Sequence, residues 1–184
     1  MPKNNNTIAK FSMIISTALE LEKYREKAKE SAKKAVRNLE DLLSLCVGDP
    51  ELVMKRFKFK KLGVKVLDPD SLDNFCEQID QQATVSAALD AVLWLMQQHP
   101  GKKWIVEPTA GGEGPDIKSE DKEVVAEVFA AVDPANNSKL TKDIEKISRE
   151  LSAKHRYVIY RSPKPQSREE SSGVKIHCLD WLPD

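Results

Sequence analysis

Apolar residues recur along this chain with two different periods, and the switches between them mark out its elements. From residue 7 to residue 46 they fall at Phe11, Ile14, Ala18, Leu21, Ala28, Ala32, Ala35, Leu39, Leu42 and Cys46. Steps of mostly three and four keep such residues on one face of a helix. The spacing predicts one long helix or two stacked ones, capped at Thr7 and stopped by Gly48-Asp49-Pro50. The charged middle, "EKYREKAKESAKKAVRN", reads as a solvated face. The near-heptad stripe offers the alternative of a helix that forms a homodimer.

The pattern then shortens. In "MKRFKFKKLGVKVL", Phe57 and Phe59 would share one face of a strand, with Lys55, Arg56, Lys58, Lys60, Lys61 and Lys65 around them. Cations interleaved with aromatics suit a phosphate-facing strand or loop, and equally a half-buried strand with a solvated lysine face. Helical spacing returns over residues 71–98, through Leu72, Phe75, Cys76, Ile79, Ala83, Leu89, Val92, Leu93 and Met96. Ser71 is the expected cap and His99-Pro100-Gly101 the stop. "KWIVEP" is a short strand and "AGGEG" a turn. Two further strands, Asp116–Lys118 and Glu123–Val132, flank the polar turn "SEDK". A helix with Leu140, Ile144, Ile147 and Leu151 on one face follows, then the strand "RYVIYR". The Pro- and Ser-rich "SPKPQSREESSG" reads as a mobile loop, and "VKIHCLDW" as a terminal strand.

From residue 71 onward the order is helix, three strands, helix, strand, strand. That predicts an α/β fold with a mixed sheet and a helix on each face. The expected division is an N-terminal helical extension over 1–50, a basic connection over 51–70 and an α/β core over 71–184.

Composition adds exclusions. The 184 residues carry 29 basic and 29 acidic side chains and no net charge, so nucleic-acid binding would need local basic patches. Cys46, Cys76 and Cys178 are far apart and odd in number, which gives no disulfide framework or zinc spacing. No apolar run is long enough to span a bilayer, and the expectation is a cytoplasmic protein that meets no membrane. His177 and Cys178 are neighbours on a strand and point to opposite faces, so they make no nucleophile pair.

The chemistry concentrates in "GPDIKSEDKEVVAEVFAAV". Val125, Glu127, Phe129 and Ala131 share one face of their strand, and Ala126, Val128, Ala130 and Val132 the other. A strand apolar on both faces is a central one, and a glutamate there needs a partner. If the turn closes with an even count, Asp116 lies opposite Val125 and diagonal to Glu127. Their backbones are then about 7–8 Å apart, and the two carboxylates can share one hard cation. A one-residue slip would send Asp116 to the other face.

Element order and "GPDI…VVAEVFAAV" resemble the PD-(D/E)xK nuclease superfamily, over about residues 71–161. The resemblance implies a restriction-endonuclease-like core of helix, three strands, helix and strand. It also implies a DNA-cleaving enzyme that uses Mg²⁺ (or Mn²⁺) held by Asp116 and Glu127. The family's lysine falls at Phe129, where this chain departs from the pattern. Relatives sometimes supply the amine from the following helix. There Lys139, Lys142, Lys146 and Arg149 form one stripe, with Lys139 or Lys142 as the stand-in amine and Lys146 and Arg149 as phosphate contacts. The same stripe also fits a solvated face. Glu107 is a candidate outer metal ligand, as is Glu113. Gly111, Gly112 and Gly114 permit close backbone approach but form no P-loop. The competing readings are a degenerate nuclease fold that binds nucleic acid or a protein without cleaving, and a small interaction protein with structural acids.

Overall fold

The computed structural model describes residues 12–108, 114–135, 138–165 and 170–180. Thr7, Phe11, Gly111, Gly112 and Glu113 lie outside them. The chain is α/β, with a seven-stranded mixed sheet, a separate two-stranded sheet and four helices among the described residues.

In chain order the elements are β1 (Met13–Ile15), α1 (Ala18–Leu45), α2 (Pro50–Phe59), β2 (Gly63–Lys65), β3 (Asp68–Asp73) and α3 (Phe75–Gln98). Then come β4 (Trp104–Val106), β5 (Ile117–Ser119), β6 (Val124–Ala130), α4 (Lys139–Ser148), β7 (His155–Arg161), β8 (Glu170–Ser171) and β9 (Val174–Leu179). The large sheet runs β1-β4-β5-β6-β7-β9-β8. Its first four strands are mutually antiparallel, β6, β7 and β9 run parallel, and β8 closes the far edge antiparallel.

β6 sits fourth of seven and is covered on both faces. Val124, Ala126 and Val128 pack into the core beneath α3, while Val125 and Phe129 pack beneath α4. This is the division its alternation predicts, since successive side chains point to opposite faces. β9 divides in the same way. His177 stacks on Trp94 of α3 with centroids 4.2 Å apart, and Cys178 packs on the α4 side.

The N-terminal expectation needs correction. The helix predicted from residue 7 begins only at Ala18, after β1 has paired with β4 at the sheet edge. Thr17 makes the break. Its hydroxyl accepts from the Glu20 amide at 3.2 Å, and the Glu20 carboxylate accepts from the Ser16 and Thr17 amides, a capping box. The stripe through Leu21, Ala28, Ala35 and Leu42 is buried within the chain against α3 and the β2–β3 hairpin, so it is not available to a second copy. Polar side chains set the α1–α3 register. Gln78 Nε2 donates to the Ser31 carbonyl at 3.2 Å, Gln82 Nε2 donates to the Ala28 carbonyl at 3.3 Å, and Arg25 pairs with Asp90.

The basic segment is also not a strand. Residues Pro50–Phe59 are helical, with Asp49 accepting from the Leu52 amide at 2.9 Å and Pro50 in the first turn. Leu52, Val53, Arg56 and Phe57 are half-buried at helical spacing. Phe57 meets Phe75 of α3 at 5.4 Å, while Phe59 points to solvent. Ser71 likewise lies in β3. Asn74 is the α3 cap, accepting from the Glu77 amide at 2.8 Å. Leu151 falls beyond α4 and is exposed, and the polar loop after β7 includes β8.

Gly63 sets the approach of β2 to α3. A Cβ there would lie 2.6 Å from the Asn74 carbonyl oxygen and 3.0 Å from Gln78 Oε1, the atom that accepts from the Val64 amide. Gly63→Ala is expected to lower stability by about 1–3 kcal/mol, as overpacking does. Urea unfolding checks this, and an unchanged midpoint would show that the β2–β3 hairpin moves aside freely.

Candidate active site

The site is built on the α4 face of three neighbouring strands. Ile117 pairs with Ala126 and Lys118 with Val125, so the register carries Asp116 opposite Glu127. The expected pairing with Val125 is thus shifted by two residues. An even shift keeps Asp116 on the face of Glu127 and turns a diagonal neighbour into a direct one. The cause is the turn. Asp121 Oδ1 accepts from Ser119 Oγ at 2.5 Å and from the Glu123 amide at 3.0 Å, and Lys122 takes a positive φ. These bonds extend β5 to Ser119 and start β6 at Val124.

One strand further out, Val106 pairs with Ile117, and the Glu107 amide donates to the Asp116 carbonyl at 2.7 Å. Glu107, Asp116 and Glu127 therefore form a row across β4, β5 and β6 on one face. Glu107 is drawn aside to Lys118, at 3.4 Å.

Glu127 is 2% exposed. The Lys146 ammonium, from α4, lies 2.9 Å from each of its carboxylate oxygens and donates to Oε2. The lysine that lies against Glu127 is thus neither Lys139 nor Lys142, in the first turn or two of this helix, but Lys146, further along it. Lys139 instead donates to Asp143 Oδ1 at 2.7 Å and sits 5.6 Å from the centre of the Phe129 ring. Lys142 and Arg149 are exposed. The predicted lysine stripe therefore divides into two cations turned toward buried acids and two turned to solvent.

Phe129 fills the position where an amine was sought. It is buried, and its ring stacks on Tyr160 at 5.4 Å with planes 12° apart. Asp143 is the participant that the sequence reading missed. It is 3% exposed and lies beneath α4 among Leu140, Ile144 and Ile147. A charged residue inside an apolar helical stripe was the available signal.

Burial dominates the electrostatics. It raises the Asp116 carboxyl above its ordinary range, opposed by the Val128 amide, which donates to Oδ2 at 2.9 Å, and by Lys146 and Lys139. Asp143 is raised by burial and held back by Lys139. Glu127 is pushed up to about 7 by burial and then by the neighbouring Asp116 charge, which together outweigh the Lys146 amine. With all three carboxyls ionised, three carboxylates facing two ammonium groups leave one negative charge in excess, which Glu127 relieves when it takes up a proton. Asp143 Oδ2 is buried without a hydrogen-bond partner, and Glu127 Oε1, although 2.9 Å from the Lys146 ammonium, accepts no hydrogen bond.

Such a set partly fits a hard divalent cation. The excess of acids over amines favours it, and Asp116 and Glu127 present oxygen donors from adjacent strands. Among the described residues no group of three or more His, Cys, Asp or Glu side chains is arranged to hold a metal ion. Protein ligation would rest on the two carboxylates, with water completing the shell.

The basic residues Lys55, Arg56, Lys58, Lys60 and Lys61 belong to α2 and the turn after it. α2 packs on α3, in the helical layer across the sheet from α4, and Lys55 pairs with Glu51 at 2.8 Å. They do not join the carboxylate row. Among the described residues no helix is long and apolar enough to cross a membrane. Comparison of the chain with protein-family models, with curated proteins and with solved structures finds no match.

The raised Glu127 carboxyl has a stability consequence. A carboxyl whose folded pKa exceeds its unfolded value binds its proton more tightly in the folded state. The resulting penalty is absent below about pH 4.5, grows up to about pH 7 and is constant above. A rise from 4.5 to about 7 corresponds to roughly 3 kcal/mol. In urea unfolding, the stability of the wild type relative to Glu127→Gln is expected to fall by up to that amount between pH 4.5 and 7.5. A difference that does not change with pH would place the Glu127 carboxyl in its ordinary range.

Proposed function

We propose that this protein is a metal-dependent nuclease of the PD-(D/E)xK type, with a restriction-endonuclease-like core, that hydrolyses phosphodiester bonds in DNA. The observation that carries the reading is the Lys146 ammonium against the Glu127 carboxylate, across from Asp116. It supplies from α4 the amine that Phe129 cannot provide.

In this reading Asp116 and Glu127 hold Mg²⁺ or Mn²⁺, and Glu107 is an outer ligand that must first leave Lys118. The ion would supply Lewis-acid stabilisation of the phosphate and a more acidic water. The chain supplies the rest. Lys146 offers a positive charge to the phosphate oxygens, where a preorganised donor in a water-poor setting is most effective. Lys139 holds Asp143 and braces Phe129, so α4 keeps a fixed height above β6. Exposed Lys142 and Arg149 are placed to meet neighbouring phosphates, and the α2 cations to meet a more distant part of the nucleic acid. The setting is cytoplasmic.

A second reading has its own support. Both lysines that face the site's acids, Lys139 and Lys146, are already paired with one, as in a fold that binds nucleic acid without cutting it.

The discriminating measurement is cleavage of supercoiled plasmid with Mg²⁺ or Mn²⁺. Wild type is expected to cleave, and Asp116→Asn, Glu127→Gln and Lys146→Met each to lose at least about 100-fold. Lys142→Met is expected to lose much less than Lys146→Met. Wild type that retains DNA in a salt-sensitive manner and cleaves neither DNA nor RNA would establish the second reading. Equal losses at Lys142 and Lys146 would reject the assignment of the amine.

A further inference from the structure

The charge count at the carboxylate row leads beyond the assignment of ligands. With their carboxyls ionised, as ligation of a cation requires, Asp116, Glu127 and Asp143 bring three negative charges, and Lys139 and Lys146 two positive ones. Adding a divalent cation while both amines stay in place would turn a buried excess of one negative charge into an excess of one positive charge. Adding it while one amine leaves brings the cluster to neutrality. Uncompensated charge in a water-poor setting is costly, so the exchange is favoured over simple addition.

The two amines are not equivalent. Lys139 is bound to Asp143, on its own helix four residues on, and also sits over Phe129. Lys146 holds the Glu127 carboxylate directly, at the end of a flexible stem; both side chains are partly exposed, so their partners and not their exposure set them apart. Lys146 can swing outward without uncovering Phe129.

We propose that Lys146 occupies the cation's place on Glu127 in the resting protein, and that cation binding and the Lys146–Glu127 ion pair exclude each other. The displaced ammonium is then free beside the row, where the ligand it would meet is a phosphate group. The same side chain thus stabilises the resting site and limits its affinity for the metal. This inference rests on the nuclease reading above.

Two substitutions separate exchange from general electrostatics. Lys146→Met and Lys139→Met each remove one positive charge near the row while keeping an unbranched apolar stem. Mn²⁺ binding is measured by isothermal calorimetry on the full chain without nucleic acid, and cation-induced thermal stabilisation is measured in parallel. Exchange predicts that Lys146→Met binds Mn²⁺ at least 10-fold more tightly than wild type, and clearly more tightly than Lys139→Met. It also predicts a larger thermal shift on adding Mn²⁺ to Lys146→Met. Equal gains in the two variants, or unchanged or weaker binding in Lys146→Met, would overturn the proposal and leave the nuclease reading standing. Failure of wild type and both variants to bind Mn²⁺, or binding that survives Asp116→Asn with Glu127→Gln, would sink that reading itself. Circular dichroism of each variant establishes that it is folded before binding is compared.

Discussion

The arrangement of this protein depends on one carboxylate in the wrong solvent. Glu127 stands in the middle of a strand covered on both faces, where an unpaired charge would be prohibitive. It is tolerated because α4 lowers Lys146 onto it. That contact fixes more than a charge. For Lys146 to reach β6, Ile144 and Ile147 must face the sheet, Lys139 must lie near Phe129, and Asp143 must go under the helix with them. The polar and apolar contacts of α4 therefore enforce one another. The helix cannot rotate to carry Asp143 out to water without pulling Lys146 from its partner.

The opposite face solves a different problem with polar groups. α3 lies between the sheet and α1, so much of its surface is enclosed, and hydrophobicity alone does not choose the height at which α1 stacks on it. Directional bonds make that choice. Gln78 and Gln82 meet α1 one turn apart, and Asp90 meets it about two turns further on. Asp90 also takes the Arg161 guanidinium, which reaches Ser86 at 3.1 Å and the Asp180 carbonyl at 3.3 Å. One aspartate thereby joins α1, α3 and the end of β7.

Much of this was legible in the sequence where a pattern runs long enough to have a period. The two-sided burial of β6 follows from its alternation, as do the order of elements from α3 onward and the apolar face of α4. What escaped was set by side chains acting over a few residues. Asp121 bonding inside its turn moves the β5–β6 register by two. Thr17 with Glu20 ends what reads as one helix and leaves three residues to pair as β1. Asp49 with Pro50 starts a helix where alternating lysine and phenylalanine imitate a strand. At the site, Asp116 and Glu127 and their shared face were readable, and Asp143 was not. That Lys146, and not Lys139 or Lys142, would lie against Glu127 was not readable, because it depends on where α4 lies along β6.

Asp116 has one more consequence, at the level of the backbone. At its position β4 and β5 remain joined through the Glu107 amide, but across the other side the Val128 amide is answered by a carboxylate and not by a peptide carbonyl. The sheet forks there, and the hydrogen bond that closes the fork belongs to an ionisable group. Backbone ladders are ordinarily indifferent to charge. This one ends in a rung whose acceptor is a carboxylate, so its strength depends on the charge that Asp116 carries.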